Sequence, residues 1–445
     1  MPKITHRKKR LSSFKLIVLG FAGVIVLGAL ILMLPFSSTA GVVTPFHEAL
    51  FTSTSAVCVT GLVVQDTGSY WSAFGQTVIL LLIQIGGLGV VTVAALFAML
   101  SGRKISLMQR STMQDAISAP KVGGIVRLTR FIVRGTFLIE LIGMIVMLPT
   151  FCGNYGIKGI WMAAFHSVSA FCNAGFDILG TAENKYPSLT GYIGNPAINI
   201  TIMLLIIVGG IGFLTWDDIY TNKWHFKKYR MQSKVILVTT AILIIAPAVF
   251  FFFCDFTGLP LAERILASLF QSVTPRTAGF NTADLPAMTG SSKAIMTLLM
   301  LVGGSPGSTA GGMKTTTLAV LILSAFSVCR KKDDAEVCGR RIDGSAVKNA
   351  AAVAVMYFLL FFVGGIVIST AEGLPLSTCL YETASAVGTV GLTLGITPQL
   401  GVISQLILIV LMYLGRVGGL TLIYAAVSNK NQSGAKLPLE KITVG

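Results

Sequence analysis

The sequence predicts an all-α polytopic membrane protein in which four similar units surround one central pore. Three observations predict this fold class. Hydrophobic residues make up 53% of the 445 residues and charged residues only 12%, which is more apolar surface than a soluble domain can bury. A short glycine-containing turn recurs four times, and basic segments alternate with acidic connections along the chain.

Each of the four turns follows a short amphipathic stretch, and its glycine is followed by a bulky apolar residue. The glycines lie at intervals of 114, 104 and 112 residues. The turns are Val59-Thr60-Gly61, Asn173-Ala174-Gly175, Thr277-Ala278-Gly279 and Thr389-Val390-Gly391. Four equivalent turns that expose backbone carbonyls allow one chain to surround a dehydrated cation with oxygen ligands. They are therefore the candidate filter of a cation pore.

Each predicted unit consists of an outer helix, a half-helix on the outside, the glycine turn, an inner helix and a basic loop. The outer helices are predicted at 14–34, 128–149, 235–253 and 347–370, and the half-helices at 45–57, 160–171, 262–273 and 377–387. The inner segments are predicted at 77–100, 197–213, 294–328 and 403–427, which gives eight spans. The units then comprise residues 1–100, 101–221, 222–328 and 329–428, followed by a cytoplasmic tail at 429–445.

The half-helices are too short to cross a membrane, because a span needs about 20 residues. The chain is therefore expected to re-enter and to leave on the same side. The half-helices run with their C-terminal ends toward the glycine turns, and the negative end of each helix dipole stabilises a cation there.

The formal net charge of +16 would suit a nucleic-acid-binding protein if the charge were spread over a soluble fold. Instead, 27 of the 34 Lys and Arg residues lie in the segments 1–15, 101–134, 222–234, 330–348 and 429–445. The positive-inside rule places these segments and both termini in the cytoplasm, and the glycine turns outside. We expect a cytoplasmic membrane protein that contacts membrane lipid and has no nucleic-acid partner.

The inner segment of the third unit is interrupted at residues 303–316, ten of which are Gly, Ser or Thr. Continuous helix is disfavoured there, because each glycine costs about 1 kcal/mol and a proline about 3 kcal/mol. Each flanking apolar run is about half a span, so we expect an intramembrane loop that gates the pore. The candidate gate residues are Gly303, Gly304, Ser305, Pro306, Gly307, Ser308, Thr309, Ala310, Gly311, Gly312, Met313 and Lys314. A cytoplasmic linker is the alternative, and the spacing of a phosphate-binding loop is absent.

All four inner segments carry a glycine-rich stretch, and in the first two units (86–89 and 209–212) we interpret it as a site of close helix packing. Arg416 stands in the fourth unit where the other three have glycine. A guanidinium inside a span costs about 3 kcal/mol and seldom faces lipid. We expect Arg416 to face the pore axis, where it raises the barrier for cations or ties down the neighbouring loop. An arginine that reaches the interface from a helix end is the alternative.

The sequence also suggests roles for two further charged residues. Arg276 lies three residues before Gly279, and we expect it to face away from the filter and to bind a carboxylate or half-helix carbonyls. Glu140, inside the second outer helix, is a candidate coupling-ion site.

Other classes of protein are disfavoured by what the sequence lacks. Seven cysteines without paired spacing and four single histidines provide neither a disulfide framework nor a metal site. No nucleophile or metal motif is present, so we expect neither an enzyme nor a cofactor in this chain. An inverted-repeat carrier would have two antiparallel halves, and a voltage sensor would carry arginines at every third position of a span.

The four turns, the loop that begins at Gly303 and Arg416 together resemble the Trk/Ktr/HKT superfamily of potassium transporters, in particular the membrane subunit of a bacterial Ktr-type system. The resemblance implies potassium uptake through the filter, a gate at 303–316 with Arg416 beneath the filter, and frequent dependence on sodium. It also implies a homodimer with one pore per subunit and a cytosolic ring of regulatory subunits, which bind the nucleotide. Because each turn contributes a single glycine, the alternative is a sodium-permeable or poorly selective monovalent cation transporter of the same superfamily.

Overall fold

The structure is a computed structural model that describes residues 13–101, 106–117, 123–419 and 421. The described residues are almost entirely helical. The helices are α1 (Ser13–Leu32), α2 (Phe46–Val57), α3 (Ala73–Leu88), α4 (Val90–Leu100), α5 (Leu107–Ile117), α6 (Ile125–Tyr155), α7 (Lys158–Phe171), α8 (Pro196–Gly210), α9 (Phe213–Asn222), α10 (Met231–Cys254), α11 (Leu261–Val273), α12 (Gly290–Leu301), α13 (Thr315–Cys329), α14 (Gly344–Glu372), α15 (Leu376–Gly388) and α16 (Val402–Val417). A two-stranded antiparallel hairpin pairs β1 (Glu336–Val337) with β2 (Arg340–Arg341). The predicted tail at 429–445 lies outside the described residues.

Four long apolar helices are each followed by a short one. The long helices α1, α6, α10 and α14 contain 20, 31, 24 and 29 residues and are long and apolar enough to cross a membrane. The short helices α2, α7, α11 and α15 contain 12 to 14 residues. Each long helix packs against the short helix that follows it. Helices thus occur at the positions predicted for the outer helices and the half-helices.

The inner helices connect each short helix to its neighbour. Helix α3 packs against α7, α8 against α11, and α12 against α15. Helix α16, near the end of the described chain, packs against α2 near its beginning. Helix α2 also packs against α3, α7 against α8 and α15 against α16, so these contacts bring the end of the described chain against its beginning.

The distribution of polar side chains is the reverse of that in a soluble domain. On the short helix α2, the hydroxyl side chains from Thr52 to Ser55 are fully buried. On the long helices, large apolar side chains such as Leu27 (60% exposed) and Leu359 (54% exposed) face outward. A lipid environment accommodates such an outer surface, whereas the buried hydroxyls line the interior where the short helices end.

The first inner segment is not the continuous helix predicted at 77–100. Helices α3 and α4 meet at Gly89 with a bend of 96°. Gly89 has φ +85°, a conformation that glycine adopts without the penalty that a side chain carries. Helices α8 and α9 are likewise bent by 98°, with Gly212 at φ +91°. The prediction of continuous helices through 86–89 and 209–212 is therefore wrong, because Gly89 ends α3 and the chain turns at Gly212, between the end of α8 and the start of α9.

Close packing at the preceding glycines is nevertheless present. A Cβ atom on Gly86 would lie within 3.0 Å of the carbonyl oxygen of Val57, the last residue of α2. A Cβ atom on Gly209 would likewise lie within 3.0 Å of the carbonyl oxygen of Phe171, the last residue of α7. The inner helices therefore approach the C-terminal ends of the short helices as closely as backbone allows.

The number of spans is not settled by helix length. Among the described residues, four single helices qualify as spans, and up to six qualify if each bent pair is counted. Helices α12, α13 and α16 are shorter. Helix α16 ends at Val417, where Gly418 has φ +87°, rather than continuing through the predicted 403–427. The residues beyond 419, apart from 421, lie outside the described chain. Eight spans stay a prediction.

Candidate ion-conduction site

All four predicted filter turns have the same backbone conformation. The residue two positions before each glycine is left-handed, with φ of +51° at Val59, +57° at Asn173, +68° at Thr277 and +53° at Thr389. The four glycines have φ between +68° and +98°. A left-handed conformation costs a residue with a side chain about 1–2 kcal/mol. Its recurrence at four equivalent positions indicates turns that tertiary contacts hold in place.

The four turns meet one another in a ring. A Cβ atom on Gly61 would lie within 3.0 Å of the carbonyl oxygen of Ala174, the residue before the next glycine. The same relation joins Gly175 to Ala278, Gly279 to Val390 and Gly391 to Thr60. The fourth contact returns to the first turn. Since any side chain at these glycines would occupy the position of a neighbouring carbonyl, glycine is required for the ring to close.

Hydroxyl side chains of the short helices hold the turns. The Ser55 hydroxyl oxygen accepts the N–H of Gly61 at 3.0 Å, and the Ser385 hydroxyl oxygen accepts the N–H of Gly391 at 3.0 Å. In the second turn, the Ser169 hydroxyl instead donates to the carbonyl of Phe176 at 2.7 Å. Serine stands six residues before the glycine in three of the four turns, a recurrence in the sequence that could have pointed to this role.

The predicted gate loop, residues 303–314, is enclosed between inner helices. Ser305 N–H donates to the carbonyl of Gly210 at 2.9 Å, and the carbonyl of Gly307 accepts the N–H of Phe213 at 2.7 Å. At its other end, Gly312 N–H donates to the carbonyl of Gly415 at 3.3 Å. The loop thus extends from the second inner helix to the fourth. A solvated linker would not be enclosed in this way.

Arg416 links this loop to the first inner helix through hydrogen bonds. Its Nη1 donates to the carbonyl of Thr309. Its Nη2 donates to the carbonyl of Gly86 and lies 3.3 Å from that of Gly87. Arg416 is in the last turn of α16, and its side chain binds these carbonyls. Of the two roles expected for it, the contacts are those of a residue that ties down the loop.

The side chain of Lys314 binds backbone carbonyls of its own loop. Its Nζ donates to the carbonyls of Ala310 at 2.8 Å and Gly311 at 3.4 Å. A cavity of about 400 Å³ adjoins Lys314 and Arg416 and is also lined by Asp115 on α5. This cavity lies beside the loop.

Arg276 lacks the partner expected for it. The residue is buried, with 5% of its surface exposed, and its Nε has no hydrogen-bond partner. None of the ion pairs found in the described ranges includes it. The expectation of a carboxylate partner is therefore wrong. Its backbone carbonyl accepts the amide of Asn173 at 3.3 Å, so the contact that Arg276 makes with the filter is through backbone.

Glu140 on α6 lies behind the second turn. Its carboxylate is 4.0 Å from the thiol of Cys172, which also donates to Gln84 Oε1 at 3.7 Å. Its backbone carbonyl accepts the Ser167 hydroxyl at 2.6 Å. Within the described ranges no ion pair includes Glu140. Its role as a coupling-ion site stays a hypothesis.

Asp177 is an acidic residue two positions after Gly175, in the outer connection between α7 and α8. The other three turns have Val63, Asn281 and Thr393 at this position. Burial, as the largest cause, and the neighbouring Asp66 carboxylate together raise the pKa of Asp177 to about 7, against a hydrogen bond from Leu179 N–H that lowers it. The carboxylate is therefore charged above pH 7 and neutral below it.

Uptake is expected to fall roughly twofold to fivefold as the external pH decreases from 8 to 6. Protonation of Asp177 removes a negative charge beside the filter, and such a charge attracts a cation by about 1 kcal/mol at contact in water. Initial uptake into proteoliposomes at the two pH values measures this. Asp177→Asn should show low uptake at pH 8 and little change to pH 6, whereas Asp284→Asn, in an exposed outer loop, should keep the wild-type profile. If Asp177→Asn has the same pH dependence as the wild type, Asp177 does not control uptake between pH 6 and 8.

Comparison with known proteins identifies relatives over almost the whole chain. A family model described as cation transport protein TrkH matches residues 13–434. The chain is 39% identical to the potassium/sodium uptake protein NtpJ of Enterococcus hirae, with 98% of each chain covered. It is 37% identical to the Ktr system potassium uptake protein B of Bacillus subtilis, with 97% of this chain and 96% of that protein covered.

A solved structure shares the fold. The potassium transporter TrkH from Vibrio parahaemolyticus matches with a TM-score of 0.74 at 19% sequence identity, covering 96% of this chain and 87% of that one. At this identity the likeness shows the fold alone, which is that of a helical membrane protein.

Proposed function

The chain belongs to the TrkH family of cation transport proteins, and from this premise we propose that it takes up potassium through a channel-like pore in the cytoplasmic membrane. As the sequence predicted, it is a multi-pass membrane protein of a transporter family and not an enzyme. The observation that carries the proposal is the ring of four turns, in which each glycine contacts the carbonyl before the next glycine. In this proposal the four units and their eight spans surround one pore.

Potassium selection in this pore depends on backbone oxygens. The carbonyls of Thr60, Ala174, Ala278 and Val390 lie at the ring contacts, where they would replace part of the hydration shell of the ion. The C-terminal ends of the four short helices add partial negative charge at the same place. No cofactor is required for this chemistry, since the transported ion is the substrate.

The loop at 303–314 is proposed as the gate. It extends between Gly210 and Gly415, on different inner helices, and therefore crosses the path of an ion that has passed the ring. Arg416 holds it in this position through the Thr309 carbonyl. Opening then requires the loop or α16 to shift so that these hydrogen bonds break.

A sodium-permeable or poorly selective transporter is the second candidate. The observation that favours it is the relative described as a potassium/sodium uptake protein, together with one filter glycine per turn. In the proposed function sodium instead acts as a coupling or activating ion. Potassium isotope uptake into proteoliposomes, with sodium as competitor, separates the two. Weak competition supports potassium uptake, equal competition supports the second candidate, and no cation uptake under any condition contradicts both.

We propose a homodimer with one pore per subunit on a cytosolic ring of nucleotide-binding regulatory subunits. The relatives named as components of a Ktr system imply a regulatory partner. The basic segments and both termini face the cytoplasm in this arrangement, with anionic lipid nearby. Helix α13 begins directly after the gate and ends at Cys329, next to Arg330, Lys331 and Lys332. A regulator bound to these cations is therefore one helix away from the loop.

Neutralising Arg330, Lys331 and Lys332 to Gln is expected to weaken copurification of the regulator in detergent at moderate salt and to leave basal flux unchanged. Lys332 forms an ion pair with Glu336 at 2.6 Å, so the docking charge comes mainly from the other two residues. Neutralising Lys227 and Lys228 to Gln is the control, because these exposed cations lie in another basic loop.

Equal loss in both variants would show a nonspecific charge effect. Unchanged binding with reduced membrane insertion would show that Arg330, Lys331 and Lys332 serve topology instead.

A further inference from the structure

Thr309, inside the gate loop, contacts the filter directly. The residue is fully buried. Its hydroxyl lies 3.1 Å from the carbonyl of Phe171, the last residue of α7, and 3.2 Å from Oδ1 of Asn173, so it donates to one or the other. Asn173 belongs to the second filter turn. One side chain of the gate therefore contacts both the end of a short helix and the filter turn that follows it.

The side chain of Asn173 continues this connection to the third turn. Its Nδ2 lies 3.4 Å from Thr277 Oγ1 and donates to the carbonyl of Arg276 at 3.3 Å. Asn173 itself is left-handed, with φ +57°. Asn tolerates this conformation better than other residues with a side chain. The two contacts of its side chain with the third turn therefore help to determine where the second turn lies relative to the third.

The two halves of the loop are attached differently. The first half is bound to the second unit by three backbone hydrogen bonds: Ser305 to Gly210 and Thr309 to Gly209, each as donor, and Gly307 as acceptor from Phe213. The second half has one backbone hydrogen bond to the fourth unit, from Gly312 to Gly415 at 3.3 Å. The half that contains Thr309 therefore has more backbone hydrogen bonds to the second unit than the other half has to the fourth, and the Arg416 guanidinium of the fourth unit also binds the Thr309 carbonyl.

The space beside this contact leaves no room for a side chain at Gly209. A Cβ atom on Gly209 would lie within 3.0 Å of the Phe171 carbonyl, Asn173 Oδ1 and Thr309 Oγ1 at once. Among the described residues, the Thr309 hydroxyl is the side-chain donor found at these two acceptors. An unpaired acceptor in such a buried place is destabilised, and the turn is free to shift.

We infer that Thr309 is a specificity-determining positioning residue, through which the first half of the gate loop supports the second filter turn by way of Asn173. This inference rests on the proposed filter and gate. Potassium selectivity then depends on a hydroxyl of the loop, in addition to the backbone carbonyls of the turns. The loop then has two roles, obstruction of the pore and alignment of the filter.

Thr309→Val keeps the shape of the side chain and removes the donor. We expect the ratio of potassium to sodium uptake in proteoliposomes to fall about fivefold, the ratio that corresponds to one net hydrogen bond, while Thr309→Ser retains the wild-type ratio. Thr240→Val is the matched control, because Thr240 on α10 is buried and its hydroxyl has no partner. An unchanged ratio in correctly folded Thr309→Val overturns the inference. If Thr309→Val is not recovered from the membrane, Thr309→Ala is measured in its place.

A double-mutant cycle tests the route of the effect. If Thr309 acts through Asn173, then Asn173→Ala and the double variant Asn173→Ala with Thr309→Val should have the same uptake ratio, because the second change removes a contact already lost. Additive effects would overturn the inference. Gly61→Ser, measured in the same assay, separates this inference from the proposed function. A loss of selectivity in Gly61→Ser alone would contradict only the role of Thr309, whereas no loss in either would contradict the filter itself.

Discussion

Substituting serine for Gly61 should lower the preference for potassium over sodium by at least about tenfold. Gly61 has φ +93°, and an added Cβ would lie within 3.0 Å of the carbonyl oxygen of Ala174 in the neighbouring turn. Overpacking at such a site costs roughly 1–3 kcal/mol, and the ring relieves it by moving a carbonyl away from the ion. Uptake of potassium isotope in proteoliposomes, with sodium as competitor, measures the change.

Gly41→Ser is the matched control for this prediction. Gly41 lies in the same unit and also has a positive φ of +68°, but no atom lies within 4 Å of the position that its Cβ would occupy. Backbone strain is thus present in both variants and crowding in only one. If competition between the two ions is the same in Gly61→Ser as in the wild type, Gly61 does not belong to a filter.

Replacing Arg416 by alanine should raise the maximal flux at least about fivefold. The substitution removes hydrogen bonds to the carbonyls of Thr309 and Gly86, and hydrogen bonds to a charged group contribute about 1.5–3 kcal/mol each. In the proposed pore it also removes a positive charge that would repel a permeating cation. Deleting residues 308–312 should raise flux as well and, because it removes Thr309, should also lower selectivity. Initial uptake by reconstituted protein without the regulator measures both variants.

Arg130→Ala is the control for Arg416→Ala, since Arg130 is an exposed arginine on α6. Its flux should equal that of the wild type. Thermal unfolding in detergent confirms that each variant is folded. Wild-type flux in both Arg416→Ala and the loop deletion would mean that residues 303–314 do not obstruct the pore.

The turns and the long helices are encoded locally, and the sequence by itself predicted them. A span is recognised by the length of an apolar run, and the helices α1, α6, α10 and α14 lie where such runs occur. The four glycines are recognisable because each terminates the same short pattern. The loop at 303–316 is recognisable because its composition opposes helix. Each of these inferences depends on neighbouring residues alone.

The glycine stretch at 86–89 shows where local information ends. Glycine permits close helix packing and also permits positive φ, and the stretch uses both: Gly86 packs against α2, and Gly89 ends α3. The position of the partner helix decides which glycine packs closely and which one ends the helix. The sequence pattern is the same for either outcome, so the break at Gly89 was not predicted.

The partners of the charged and polar side chains were decided by the tertiary structure alone. Arg416 binds carbonyls 107 and 330 residues away, and Thr309 contacts a filter residue 136 residues away. Arg276 was expected to bind a carboxylate or half-helix carbonyls, and its Nε has no partner. Such contacts depend on how helices from different units pack in the ring, because side-chain hydrogen bonds require distances near 3 Å. No spacing along the chain encodes a distance of that kind between residues so far apart in sequence.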